Sequence, residues 1–185
     1  MEKKRENKKG QIWVETVLYT LIALALIGVV LAFVMPKINQ TKDKIVVEQT
    51  IDMLIKLDGK ILEVSDLPGN SRTFSFVLKR GELHINSTSE EIFVIVSGLS
   101  KAYSEPGIDL PNGPVKITTI KNQKEYDVYL KLSYLNKAAN ITFQGEDKNK
   151  KYTSASTSYQ LAIRNLGIQT NGGSSVSQIN IEQLQ

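Results

Sequence analysis

Few residues in this 185-residue chain have the chemistry expected of a functional site, and the most unusual of them is Glu15. It is the only charged residue between Ile12 and Met35, a run of mostly apolar residues. On insertion scales, a charged side chain at the centre of a bilayer costs roughly 2.5–3.5 kcal/mol, and less near an end. Glu15 therefore predicts either a cationic partner or a position at the membrane interface.

Other residue types that carry chemistry are scarce. The chain has no Cys, which excludes a disulfide framework and a thiolate zinc site. Its single His, His84, alternates with Leu83 and Ile85, which predicts a surface position on a strand. The sequence contains no glycine-rich phosphate loop, nucleophile motif or recognisable pair of catalytic acids. We therefore expect no enzymatic activity, no cofactor and no metal site.

The apolar run has the length of a membrane span. As a helix, its 24 residues from Ile12 to Met35 would measure about 36 Å, against about 30 Å for the hydrocarbon layer. Residues 1–10 contain five Lys or Arg and two Glu, so they supply three of the four net positive charges. Because this charge lies beside the apolar run, it predicts a cytoplasmic N-terminus and an external C-terminal part, with no nucleic-acid partner.

Two ordinary interpretations of this segment are open. A cleaved secretory signal peptide needs a small-residue site after a short apolar stretch, and Ala23-Leu24-Ala25 has the required residue types. Ten more mostly apolar residues follow it, however, and Pro36-Lys37-Ile38 is no such site. An uncleaved signal anchor explains the length and the orientation of the segment, but it leaves Glu15 without a role.

A third interpretation depends on the residues around Gly10. Lys8-Lys9-Gly10 is followed by Gln11, and Glu15 is the fifth residue after the glycine. This arrangement resembles the class III signal peptide of type IV pilins and is most similar to the archaeal branch. The resemblance covers about residues 1–40 closely and the rest of the chain only in general layout. It implies that a prepilin peptidase cuts between Gly10 and Gln11, and that the apolar helix is kept as a filament core.

The resemblance also implies a role for Glu15. Cleavage would create a positive amine on Gln11, and Glu15 could pair with the amine of a neighbouring subunit. At about 4 Å and an effective dielectric constant near 20, this attraction is about 4 kcal/mol before desolvation. Because an unpaired partner would be strongly penalised, the pair would set axial register more than bulk stability. The alternative is that Glu15 reaches the membrane interface and pairs with nothing.

The chain after the apolar run is predicted to begin with more helix. Pro36 would bend the helix or mark the membrane exit, and a stripe at helical spacing predicts packing on a head domain. The stripe consists of Val47, Ile51, Leu54, Ile55, Ile61 and Leu62. We predict a leader at residues 1–10, a transmembrane or filament-core helix at 11–36, and a helix continuation and linker at 37–66. An external head would follow at 70–185.

The head is predicted to be rich in strands. Alternating apolar residues indicate strands near 72–79, 83–85, 92–96, 115–120, 126–134, 139–143 and 158–163, with a tight turn at 80–82 and a loop at 104–114. Polar residues 169–177 predict a mobile segment, followed by an edge strand. The expected fold class is α+β: a long N-terminal hydrophobic helix followed by a small antiparallel β-sandwich-like head.

Three glycosylation sequons begin at Asn39, Asn86 and Asn140, and Asn86 is the best placed because it follows a strand in a predicted turn. The charged run Glu146–Lys151 is expected to be a solvated hairpin loop, and a sugar- or surface-binding tip is the alternative.

These observations predict a structural subunit of an archaeal type IV pilus-like surface filament. The resemblance implies three partners: a prepilin peptidase, an assembly platform with its motor ATPase, and further copies of the chain. It implies a single-pass membrane precursor, then an extracellular filament used for adhesion. The alternatives are a monomeric, membrane-anchored binding module, a minor pilin, and an archaellin-like subunit. Because archaellins generally lack an acid at the fifth place, Glu15 favours the pilus branch.

Overall fold

The computed structural model describes residues 8–135, 139–171 and 174–184. Helix α1 (Lys8–Ser65) comes first, and ten strands follow it in this described part. The strands are β1 (Ser71–Phe76), β2 (Glu82–Asn86), β3 (Glu91–Leu99), β4 (Asp109–Asn112), β5 (Val115–Asn122), β6 (Glu125–Ser133), β7 (Ala139–Phe143), β8 (Asn149–Thr153), β9 (Tyr159–Asn171) and β10 (Ser174–Gln183). The predicted α+β layout, a long apolar N-terminal helix followed by a β-rich head, is confirmed.

The chain divides into two compact units, Met1–Thr41 and Lys42–Gln185. The boundary falls inside α1, so the last part of the helix belongs to the head unit. Pro36 lies within α1 and does not end it. The missing N–H of a proline removes one helical hydrogen bond, and the neighbouring turns continue the helix on both sides.

Two sheets make up the head. The four-stranded sheet has the order β1-β9-β10-β7, and the six-stranded sheet has the order β4-β5-β6-β3-β2-β8. Neighbouring strands are antiparallel, except that β10 runs parallel to β7. The expected antiparallel arrangement therefore holds for all but one pair of the described strands.

One hydrophobic core joins the last part of α1 to both sheets. From α1 it contains Val47, Ile51, Leu54, Leu57, Ile61 and Val64. The spacing of these residues places them on one face of the helix. Two members of the predicted stripe, Ile55 and Leu62, are instead exposed. Each directly follows a buried residue, and one step along a helix rotates the side chain by about 100°.

The connection between β1 and β2 contains the predicted tight turn, and the loop prediction at 104–114 needs correction. β1 and β2 do not pair with each other, since β1 pairs with β9 while β2 pairs with β3 and β8. The turn at residue 81 is still tight: Gly81 has a φ of +93°, and a Cβ there would collide with the Ile95 carbonyl oxygen. The predicted loop at 104–114 contains the edge strand β4, which tolerates Pro111 because one side of an edge strand needs no ladder partner.

Three further corrections concern the C-terminal half. The charged run Glu146–Lys151 is not all loop, since β8 begins at Asn149 and pairs with β2. The segment 169–177, predicted to be mobile, contains the end of β9 and the start of β10 in its described part. The last strand is not at an edge, because β10 lies between β9 and β7 with Ile179 and Ile181 fully buried.

Gly59 offers a test of the helix in the head unit. It lies inside α1, and a Cβ added there would meet no atom within 4 Å. Because glycine costs about 0.8–1.0 kcal/mol relative to alanine inside a helix, Gly59→Ala should raise the free energy of unfolding by about that amount. Denaturant unfolding of the purified chain would measure it, with Gly81→Ala as a destabilised control. Lower stability in Gly59→Ala would contradict the open helix surface at this position.

Candidate functional site

The candidate site is the start of α1, which contains the residues singled out by the sequence. The backbone of Lys8, Lys9, Gly10 and Gln11 forms the first turn of the helix. Leader residues 1–7 lie outside the described residues. The proposed cleavage junction, Gly10–Gln11, therefore directly precedes the apolar segment that would be retained.

Glu15 lies one turn further along α1 and is exposed. Among the side chains that the structure describes, none forms an ion pair with its carboxylate. The nearby hydroxyl groups are satisfied within the helix: Thr16 donates to the Ile12 carbonyl oxygen at 2.9 Å, and Thr20 donates to that of Val17 at 2.8 Å. Thus, unlike the hydroxyl groups of Thr16 and Thr20, the Glu15 carboxylate has no partner among the described side chains.

The segment around Glu15 is apolar on every side. All of its large apolar side chains from Ile12 to Ile38 are exposed. They occupy successive positions, and at about 100° per residue they cover the whole circumference of the helix. Its most apolar window has a mean hydropathy of 2.8, and α1 alone among the described helices is long and apolar enough to cross a membrane. The segment therefore has the length and composition of a membrane anchor or a signal sequence.

Part of α1 belongs to the head unit, which begins at Lys42. A polar network at Asp43 attaches the first turn of this part of the helix to the strands and loops of the head. Asp43 accepts hydrogen bonds from the Arg80 guanidinium at 2.6 Å and from the Ser100 hydroxyl at 2.6 Å and amide at 2.8 Å. Arg80 also donates to the Gly98 carbonyl oxygen. Burial raises the pKa of the Asp43 carboxyl, but the Ser100 hydrogen bonds and Arg80 outweigh it and hold the pKa below its usual value.

Two further contacts fix the rest of α1 in the head. The Tyr134 hydroxyl donates to the buried Asp58 carboxylate at 2.8 Å. Burial, together with the charge and hydrogen bond of Asp58, raises the pKa of Tyr134 far above its usual range. At the helix end, the buried Asn165 amide donates to the Val64 carbonyl oxygen at 2.9 Å, which satisfies one of the orphan acceptors of the last turn. The helix end is therefore a fixed part of the head.

The three sequons differ in their surroundings. Asn39 is exposed on α1, and the Thr41 hydroxyl of its sequon donates to the Lys37 carbonyl oxygen at 3.0 Å. Asn140 is half-buried on β7, and the side chain of Thr142 in its sequon is 2% exposed. Asn86 ends β2, where it is half-buried and on the opposite face of the six-stranded sheet from the core residue Ile85. The sequons at Asn86 and Asn140 thus lie on different sheets of the head.

His84 lies on the outer face of β2, as the alternation predicted. Its ring stacks on Phe93 with 4.8 Å between centroids, and its Nε2 is 3.4 Å from a Glu82 carboxylate oxygen. Across the described ranges, no three His, Cys, Asp or Glu side chains come close enough together to hold a metal ion. The residues of the head that sequence reasoning missed are structural, above all Asp43, Arg80 and Asp58.

Comparisons with protein-family models, with curated proteins and with solved structures found no match for this chain.

Proposed function

We propose that the chain is a structural subunit of an archaeal type IV pilus-like surface filament. The observation that carries the proposal is the order of parts at the N-terminus. A basic leader and Gly10-Gln11 come directly before a helical segment that exposes apolar side chains all round and carries a single acid, Glu15, near its start. A plain signal anchor requires the basic leader and the apolar length, but it requires neither the glycine junction nor the acid.

In this proposal the chain begins as a membrane precursor. The basic residues, including Lys8 and Lys9, keep the leader in the cytoplasm, so the head is exported. A prepilin peptidase then hydrolyses the Gly10–Gln11 peptide bond. The oxygen of a water molecule is added to the Gly10 carbonyl carbon, which becomes a carboxylate, and the Gln11 nitrogen takes up the proton and becomes a free amine. The apolar helix stays in the membrane until an assembly platform and its motor ATPase extract it.

The exposed apolar surface of α1 supports self-association. Outside the membrane these side chains would contact water, at a cost of about 25 cal/mol for each Å² of apolar surface. Helices of neighbouring subunits can cover that surface in a filament, just as lipid covers it in the membrane. Self-association therefore lets one segment serve as a membrane anchor first and as a filament core later.

Glu15 gives the association a register. Its carboxylate would pair with the Gln11 amine of a neighbouring subunit, and both charges would otherwise be isolated among apolar helices. The head would be the outer part of the filament and would mediate adhesion. The role of the chain would then be structural, with no catalysis.

Mechanical shearing of intact cells from the native host tests this proposal. We expect the sheared fraction to contain the chain in long polymers, and the stripped cells to lose most of it. A monomeric, membrane-anchored binding module would stay with the cell membranes after shearing. Recovery of the chain only in membranes, as single subunits after mild detergent extraction, would overturn the filament proposal.

A further inference from the structure

The sequon at Asn86 combines a half-buried asparagine on the outer face of a sheet, an exposed threonine and a hollow next to the amide. The side chain of Asn86 is on the outer face of the six-stranded sheet, at the end of β2. Thr88 is exposed in the turn that follows. The geometry points to Asn86 as the attachment site of an N-linked glycan on the head.

The turn after β2 sets the orientation of the Asn86 amide. Its Oδ1 accepts a hydrogen bond from the backbone N–H of Ser89 at 3.2 Å. Within the described part of the chain, Nδ2 donates no hydrogen bond, so the nitrogen that would carry the glycan is available. The Ser87 hydroxyl donates to the Lys148 carbonyl oxygen at 3.0 Å and fixes the turn against the start of β8.

Open space lies next to this amide. A hollow of about 120 Å³ is bordered by Asn86, Asn149, Lys151 and the stacked rings of His84 and Phe93. The rings give the hollow an apolar wall, and the asparagine and lysine side chains offer hydrogen-bond donors. The hollow also borders Ile85, which is fully buried, so its floor is the sheet itself, and a first sugar residue would lie against the outer rings and the edge strand β8.

The other two sequons differ in the hydroxyl group that a transferase must contact. At Asn140 the threonine of the sequon is in the core, where the Thr142 hydroxyl lies 3.3 Å from Asn180 Oδ1. A transferase must contact both the amide and the hydroxyl of its acceptor, and it cannot reach a buried hydroxyl on the folded head. Asn39 lies in a regular helix, and the Thr41 hydroxyl of its sequon already donates a hydrogen bond to the Lys37 carbonyl oxygen one turn earlier.

The attachment is a balanced group transfer. The Asn86 nitrogen attacks the anomeric carbon of an oligosaccharide linked to a lipid phosphate, and a nitrogen–carbon bond forms. The bond between that carbon and the phosphate oxygen breaks, the lipid phosphate leaves with the electron pair, and a base of the transferase takes the amide proton. The inference rests on the external location of the head that the proposed function requires.

Mass spectrometry of peptides from the full chain, purified from its native host, tests the inference. We expect a glycan mass increment on the peptide that contains Asn86 and none on those that contain Asn39 or Asn140. Thr88→Ala, which keeps the asparagine, should abolish the increment, and Thr88→Ser should retain it. Ser89→Ala is the matched control, because its backbone N–H still bonds to Asn86, and it should retain the increment.

A second measurement separates the glycan from the location of the head. A membrane-impermeant amine reagent applied to intact cells should label the exposed head lysines Lys121 and Lys124. A labelled head with an unmodified Asn86 would overturn the glycan inference and leave the proposed topology intact. An unlabelled head together with an unmodified Asn86 would overturn both. An increment that persists in Thr88→Ala would show that attachment does not use this sequon.

Discussion

Replacing Glu15 with Gln is expected to abolish filament formation while leaving the chain inserted and processed. The substitution keeps the size and shape of the side chain and removes only its charge. In the precursor it relieves a cost of roughly 2.5–3.5 kcal/mol or less, so insertion should not suffer. In the proposed filament it would leave the Gln11 amine without a counterion among apolar helices. Breaking a buried ion pair in this way typically costs about 3–5 kcal/mol.

That cost recurs at every subunit, so the effect on assembly should be large. A loss of about 3–5 kcal/mol per contact corresponds to a factor of roughly 10²–10³ or more in the association constant, since 1.4 kcal/mol is tenfold. We expect sheared filaments to fall below detection, with normal amounts of mature chain in the membrane. Immunoblots of the sheared and membrane fractions would measure both quantities.

Glu48 provides the matched control for Glu15. It is another exposed acid on α1, and it pairs with Lys44 at 3.6 Å across one turn. Because a surface pair of this kind contributes about 0–1 kcal/mol, Glu48→Gln should leave filament yield nearly unchanged. Wild-type yield from Glu15→Gln would refute the pairing role and favour simple exposure of Glu15 at the membrane interface.

The second large effect is expected at Leu54, where α1 meets the head core. This side chain is fully buried and packs among residues from the helix and both sheets. Leu54→Ala removes three carbon atoms and leaves a cavity that the sheets can only partly fill. The free energy of unfolding should fall by about 2–5 kcal/mol, measured by denaturant unfolding of the purified full chain in detergent.

The neighbouring residue supplies the control for this prediction. Ile55 loses a similar volume on substitution by Ala but is 37% exposed. Ile55→Ala should therefore cost about 0.5 kcal/mol or less, as is usual for surface changes. Equal losses for Leu54→Ala and Ile55→Ala would mean that the last part of α1 does not pack on the head as described.

Local patterns predicted the elements of this fold well. The long helix follows from the apolar run and the helical stripe, and most strands follow from alternation such as that in β6 (Glu125–Ser133). The stripe did not distinguish Leu54, which is buried, from Ile55, which is exposed, because both are apolar. Only the packing of α1 against the sheets decides which of two adjacent apolar residues faces the core.

Strand pairing could not be predicted in the same way. β1 and β9 are more than eighty residues apart in the chain, yet they pair from Ser71↔Arg164 to Phe76↔Tyr159. Nothing in either segment specifies the other. β8 was missed because its lysines and asparagine are typical of a loop, and its single buried side chain is Tyr152. A short edge strand carries charge on its open side, and this weakens the alternation.

The functional candidates were also predictable where they depend on neighbouring residues, and the structural contacts that depend on distant residues were not. Gly10, Gln11 and Glu15 lie within six residues of one another, so the sequence alone could single them out as candidates. The Asp43–Arg80–Ser100 network joins residues 37 and 57 positions apart, and it has no local signature. The same is true of Asp58 and Tyr134, which are 76 positions apart. Contacts of this kind exist only after the head has folded.

The mature N-terminus of the chain tests the central claim most directly. Protein from the native host should begin at Gln11, with the sequence Gln-Ile-Trp-Val-Glu, because the proposed cleavage after Gly10 would remove the leader and retain the apolar helix. N-terminal sequencing or mass spectrometry of the intact chain would identify this end. A chain that still carries the leader would contradict the account in favour of a plain anchor. A chain that begins after Ala25 would contradict it in favour of a secretory signal peptide.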